Sequence, residues 1–280
     1  MEQMKVPGKY SGACGTCASA GIAIKNPRQF EKDLLAKMGL ESVMHSTQIT
    51  QFEYLLRLMQ EVMNCSGILA DFANDLRHSQ RTEIGEVGEP IGDLSVGSST
   101  MPHKKNPEKS EQAFGIWKIV KPRVHGFSDD QISEDERDLS NSITSRTYTE
   151  VFLYFYLQVT GMTNVLSRLT IAKSNVERNL FALGDTPLAE PIQQMLALKG
   201  YPGDTHEIIR KLTRQMVNPA KESLVALVRA DPELGPYLKD IPKEWSEILD
   251  DMHNYIGDTV SATENIVLYW SQIYGINIVD

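Results

Sequence analysis

Between Pro27 and Pro90 the chain contains no proline, and its apolar residues fall at short, regular steps. Ile49, Phe52, Leu56, Met59, Met63, Leu69, Phe72, Ala73 and Leu76 are separated mainly by three or four positions. On an α-helix those steps share one face, so the spacing predicts a helix from about His45 to Arg77. At ~1.5 Å per residue such a rod is roughly 45 Å long. A second proline-free stretch, Arg123 to Thr186, carries Val151, Phe155, Val159, Met162, Leu166 and Leu169 at helical steps. Its middle, VFLYFYLQVTGM, is apolar nearly all round, which suits a helix enclosed by others. Strand-like alternation is scarce, and prolines punctuate the pattern. The fold class is all-α, with very long helices.

A long helix is stabilised by partners along its length more than by its own propensity. Two or three rods are too few to close a bundle of that length, so self-association is expected, with a monomeric up-down bundle as the alternative. The turn-forming run LGDTPLAEP, 183–191, breaks the second rod. Shorter segments follow, among them PIQQMLALKG, DTHEIIRKLTRQM and KESLVALVRAD. The expected division is a central long-helix domain, 1–183, and a smaller C-terminal helical domain, 184–280.

Composition narrows the partners. A net charge of −9 in 280 residues lacks the basic stripe of a nucleic-acid surface. No run of eighteen apolar residues suggests a membrane span, and MEQMKVPGKY lacks a secretion pattern. Three cysteines without such a signal fit a reducing cytoplasm. Cys14 and Cys17 have CxxC spacing, but further close zinc ligands and a βαβ context are missing from the sequence. The small residues of SGACGTCASAGIA suit close packing of two helices instead.

Against this acidic background, residues 95–112, SVGSSTMPHKKNPEKSEQ, gather hydroxyls, lysines and turn formers. Asn106-Pro107-Glu108 reads as a helix start, with Asn106 as N-cap and Pro107 at the first position. Such a start presents N–H groups to an anion, and Lys104, Lys105 and Lys109 add charge. Gly92 and Gly97 bracket a loop that carries Ser98, Ser99 and Thr100. The spacing is not that of a Walker loop. A plain solvated loop, a phosphate-binding turn and a protein-docking tip all remain open on these grounds.

GSSTMPHKKNP, 97–107, resembles the signature of the fumarase/aspartase superfamily, and SEDERDLSNSITSR, 133–146, resembles a segment of its adenylosuccinate lyase family. QRTEIGEV, STQITQFE and LAEPIQQMLALKGYPGDTHEII are also similar to that family's sequences. The resemblance implies a long-helix bundle of the fumarase/aspartase type. It also implies anti β-elimination of fumarate from a succinylated purine-pathway nucleotide, namely adenylosuccinate (giving AMP) or the succinylated aminoimidazole carboxamide ribonucleotide. By resemblance Ser98 is the general base, Lys104 and Asn106 stabilise the aci-carboxylate, and Glu111 supports the catalytic histidine. Ser99, Met101, Gln48, Arg137, Ser142 and Arg146 are implied on the substrate side, the last three near a phosphate. No metal or organic cofactor is implied. Active sites formed where subunits meet imply a homotetramer.

The same resemblance places the start of the chain at the family's GKYSGACGT segment, Gly8–Thr16, after the part that bears the general-acid histidine. None of the six histidines matches that acid. The expectation is that the chain alone has little or no lyase activity and that a separate N-terminal fragment completes it. The alternatives are a sister lyase of argininosuccinate or carboxymuconate type and a non-catalytic helical oligomerisation module.

Overall fold

The computed structural model describes residues 6–90, 104, 106–134 and 136–276. The chain divides into two compact units, Met1–Lys173 and Ser174–Asp280, and its described residues are all-α apart from four two-residue strands. In the first unit two short helices, α1 (Ala18–Ala23) and α2 (Pro27–Lys37), precede α3 (Glu53–Ser79), α4 (Glu108–Phe127) and α5 (Tyr148–Leu166). β1 (Pro7–Gly8) pairs in parallel with β2 (Glu41–Ser42), and β3 (Val87–Gly88) pairs antiparallel with β4 (Thr170–Ile171).

The core of this unit lies where α3, α4 and α5 pack. Leu56, Met59, Val62, Ser66, Ala70, Ala73 and Leu76 are the buried residues of α3. Their steps of three and four explain why the helix has one inward face. Met59 and Val62 meet Val120, Val124 and Phe127 of α4 and Val151 of α5. Further along, Ala73 and Leu76 cluster with Ala113, Met162 and Val165. Gly67 leaves room for the Trp117 ring, which would stand 3.4 Å from a Cβ there. Midway along the helices the buried amide of Gln158 donates to the carbonyls of Ser66 (3.0 Å) and Ala113 (2.9 Å), tying all three together.

Three expectations about the rods need correction. The first helix begins at Glu53, not near His45, so its 27 residues make a rod of about 40 Å. Residues 45–51 spend their backbone groups elsewhere: Gln51 Nε2 donates to His45 O, Lys9 takes the carbonyls of Thr47 and Gln48, and Gln48 N–H reaches Glu136 O. Proline does not always punctuate, because Pro122 sits inside α4. Its missing donor is tolerated where Val120, Val124 and Phe127 anchor the helix on α3 and α5. Nor is α5 enclosed: Leu153, Tyr156 and Leu157 are exposed in the single chain.

The run SGACGTCASAGIA does not bring two helices together. Residues 11–17 form a tight loop closed by Cys17 N–H on Ser11 O (2.8 Å), and α1 follows it. Small residues are needed because this loop abuts Ser46. A Cβ on Gly15, whose φ is +65°, would lie 1.8 Å from Ser46 O. Cys14 is exposed and Cys17 buried, both as free thiols.

The second unit consists of α6 (Lys173–Leu180), which opens at the boundary, then α7 (Ala189–Leu198), α8 (Thr205–Gln215), α9 (Leu224–Ala230), α10 (Lys243–Asp250) and α11 (Thr259–Tyr274). Leu188, Ile192, Leu196, Ile209, Leu224, Val228 and Leu234 form its core. The LGDTP turn lies within this unit. Gly184 there adopts φ +59°, and Asp185 accepts the N–H groups of Leu224 (2.6 Å) and Val225 (3.1 Å) at the start of α9. Asp204 caps α8 through Glu207 N–H, and Ser223 caps α9 through Ala226 N–H. No helix among the described residues is long and apolar enough to cross a membrane.

Candidate functional site

Ser98, Ser99 and Met101 lie outside the described residues. What is described are the two flanks of their segment. On one side β3 leads to Glu89, whose N–H donates to Gln80 Oε1 (2.9 Å). On the other side α4 begins at Glu108. Glu89 is buried, and its carboxylate accepts Ser110 N–H at 2.6 Å and Lys109 N–H at 3.1 Å. A single side chain thereby joins the flanks of the 91–107 segment.

This geometry corrects the reading of the helix start. Asn106 is not the N-cap. Pro107 holds that position and makes no side-chain cap, while Glu89 supplies the acceptor from 20 residues upstream. An internal carboxylate thus takes two of the N–H groups at the helix N-terminus. That is the favourable place for a negative charge on a helix dipole. Lys104 is exposed and Asn106 half-buried. Glu111 points across to α3, with its Oε1 4.0 Å from Arg77 Nε.

A second region collects the substrate-side residues. Gln48 N–H donates to Glu136 O at 3.4 Å, so the irregular run before α3 lies against the 133–146 segment. Beside this contact opens a cleft of roughly 620 Å³. Ile49, Phe52, Leu55 and Leu58 make its apolar wall, and Gln51, Asp130, Arg137, Asn141 and Tyr148 its polar one. Arg137 is half-buried and brings the positive charge. Ser142 and Arg146 sit on consecutive 3₁₀ turns, Ser140–Ser142 and Thr144–Thr147, rather than in the cleft lining.

Asp130, buried on the 3₁₀ turn Ser128–Gln131 that follows α4, organises these turns. Tyr148 O–H donates to its carboxylate, and Asn141 Nδ2 donates to its carbonyl at 2.7 Å. Burial and the Asp130 bond push the Tyr148 phenol well above its usual range, so it stays a donor. Ser140 donates through Oγ (2.5 Å) and N–H (2.9 Å) to Asp138, holding that carboxyl below the usual range. Asp130, Asn141 and Tyr148 escaped sequence reasoning, as did Glu89. An acid one residue before the Pro90 turn was the available signal for Glu89; the others owe their place to folding of the 128–148 turn. Among the described residues no cluster of His, Cys, Asp or Glu is placed to hold a metal ion.

Residues 4–120 match a family model described as lyase, and residues 133–253 match one described as adenylosuccinate lyase C-terminal. The chain is similar to adenylosuccinate lyases along nearly all of its length. Adenylosuccinate lyase of Pyrococcus abyssi is 33% identical over 274 residues, covering 96% of this chain and 59% of that protein. The Archaeoglobus fulgidus adenylosuccinate lyase is 29% identical over 278 residues, covering 98% of this chain and 61% of its own length. The chain thus spans about three fifths of the length of these curated relatives. Among solved structures, a fumarate lyase from Mesorhizobium sp. BNC1 superposes with a TM-score of 0.76 at 23% identity, covering 93% of this chain and 56% of that one. A 3-carboxy-cis,cis-muconate lactonizing enzyme from Pseudomonas putida gives 0.74 at 22% identity, with 90% and 55% covered. These two establish a shared fold.

Proposed function

We propose that the chain supplies the base-bearing and phosphate-side parts of an adenylosuccinate lyase of purine biosynthesis, acting in the cytoplasm. In this reading Ser98 removes a proton from the carbon next to a substrate carboxylate. The electron pair is held as a doubly negative aci-carboxylate and then forms the carbon–carbon double bond as the carbon–nitrogen bond breaks. The leaving nitrogen takes a proton, and fumarate departs. A seryl oxygen needs activation to act as a base at neutral pH. Lys104 and Asn106, with backbone N–H groups of the 97–107 segment that include Met101, provide the compensating positive potential. Ser99 contacts substrate within that segment, and Glu111 orients the histidine of the acid half, which comes from sequence outside this chain.

The observation that carries the reading is the Gln48–Glu136 backbone contact beside the Arg137 cleft. Two segments predicted separately as substrate-side meet there, with an apolar wall for a base and a guanidinium suited to phosphate oxygens. Ser142 and Arg146 reach the same phosphate from the adjoining turns. The exposed apolar side chains of α3 (Ile68, Phe72) and α5 (Leu153, Tyr156, Leu157) favour assembly into a homotetramer through the long helices.

Thermal shift of the chain with AMP tests the nucleotide reading. AMP is expected to raise the midpoint in wild type and not in Arg137→Ala, while argininosuccinate leaves both unchanged. A shift with argininosuccinate but none with AMP would assign the chain to the sister lyase. No shift with either ligand would leave the helical oligomerisation module as the better account.

A further inference from the structure

Lys9 follows β1, and its ammonium donates to three carbonyls: Gly12 at 2.6 Å, Thr47 at 2.7 Å and Gln48 at 2.7 Å. An ammonium has three N–H donors and no acceptor, so these bonds saturate it. Two of the carbonyls are consecutive, which fixes the orientation of successive peptide planes at 47 and 48. The preceding residue is held as well, since Ser46 and Ser11 share a buried hydroxyl–hydroxyl bond of 2.9 Å. Gly15 closes on Ser46 O so tightly that no side chain fits between them. Residues 46–48 are thus gripped by the 9–15 loop, while Gln48 N–H faces away from it to Glu136 O (3.4 Å). The next residue, Arg137, lines the cleft.

We infer that Lys9 is a positioning residue: by holding the Gln48 backbone against Glu136, it sets the placement of Arg137 without touching substrate. The inference rests on the reading of the Arg137 cleft as the nucleotide site. A lysine suits the task because a single tetrahedral nitrogen at the end of a flexible stem can meet three carbonyls converging from separate parts of the chain. The planar fork of arginine meets them less completely. Methionine keeps the apolar stem and loses every donor.

Two measurements on the full chain separate the possible outcomes. The first is amide hydrogen exchange without ligand. Lys9→Met is expected to exchange faster than wild type in peptides covering 46–51 and also in those covering 134–139, where Lys9 makes no hydrogen bond of its own among the described residues. Unchanged exchange at 134–139 overturns the inference, whatever AMP does. The second is AMP affinity by calorimetry. Lys9→Met is expected to raise Kd about tenfold, equivalent to about 1.4 kcal/mol, with Lys9→Arg restoring part of the loss. Equal Kd in wild type and Lys9→Met also overturns it. If wild type binds no AMP while exchange at 134–139 responds to Lys9→Met, the nucleotide reading falls and the Lys9 coupling stands. Should Lys9→Met lose the wild-type circular dichroism, Lys9→Gln and Lys9→Arg carry the same comparison.

Discussion

Removing the Glu89 carboxylate is expected to destabilise the first unit, by an amount that the structure permits working out. In Glu89→Ala the N–H groups of Lys109 and Ser110 lose their acceptor. Ser110 is fully buried, and its own hydroxyl already has no partner among the described residues, so water does not readily replace the lost bond. A hydrogen bond to a charged group contributes about 1.5–3 kcal/mol. The carboxylate's attraction to the helix terminus adds about 0.3–1 kcal/mol. Lys109 is exposed and recovers most of its loss from solvent. The net expectation is about 2–4 kcal/mol for Glu89→Ala. Glu89→Gln keeps one acceptor oxygen but turns an amide N–H₂ towards a second donor, so about half that loss is expected. Urea unfolding followed by circular dichroism, with Trp117 fluorescence as a probe on α4 itself, measures both. A loss below about 1 kcal/mol in Glu89→Ala would refute the claim that this side chain caps the helix.

Other expectations follow from the same contacts. Gln158→Leu deletes two donated bonds, but it also removes an Oε1 that has no partner among the described residues. The change in unfolding free energy should stay within about 1.5 kcal/mol, whereas Gln158→Ala opens a void and should cost about 2–4 kcal/mol; equal losses in urea melts would contradict this. Gly184→Ala places a Cβ 2.1 Å from Pro219 O at a φ of +59° and should lower stability by about 2 kcal/mol or more in thermal melts. His253, when protonated, donates to the Glu177 carboxylate at 3.0 Å and to that of Asp251 at 2.6 Å, and these partners, Glu177 first, raise its pKa above the ordinary histidine value. Because the folded value is the higher one, its stabilisation is complete below the ordinary histidine range and fades as pH rises through the raised value. An NMR titration should show that midpoint, and Glu177→Gln should move it down; an unmoved midpoint would contradict the assignment.

What the sequence makes legible depends on how local each cause is. The inward face of α3 could be read because burial repeats every three or four residues, and Leu56, Met59, Ala73 and Leu76 are buried as the spacing predicts. The start of that helix could not, since the backbone of residues 47 and 48 is claimed by Lys9 and Glu136 from far along the chain. The start of α4 shows the same limit. Asn106-Pro107 marks the boundary to within a residue, yet the cap arrives from Glu89. At the candidate site, the 97–107 and 133–146 motifs were visible as residue strings. The Asp130–Tyr148 contact that folds the second of them pairs residues 18 apart with no periodic signature.

The proposed chemistry turns on one oxygen. The most direct measurement is the rate of fumarate release from adenylosuccinate by the chain combined with the segment that supplies the acid, in wild type and in Ser98→Ala. The account predicts measurable turnover in the first and a loss of about 10²–10⁴-fold in the second, the usual contribution of a positioned base. An undiminished rate in Ser98→Ala would contradict it.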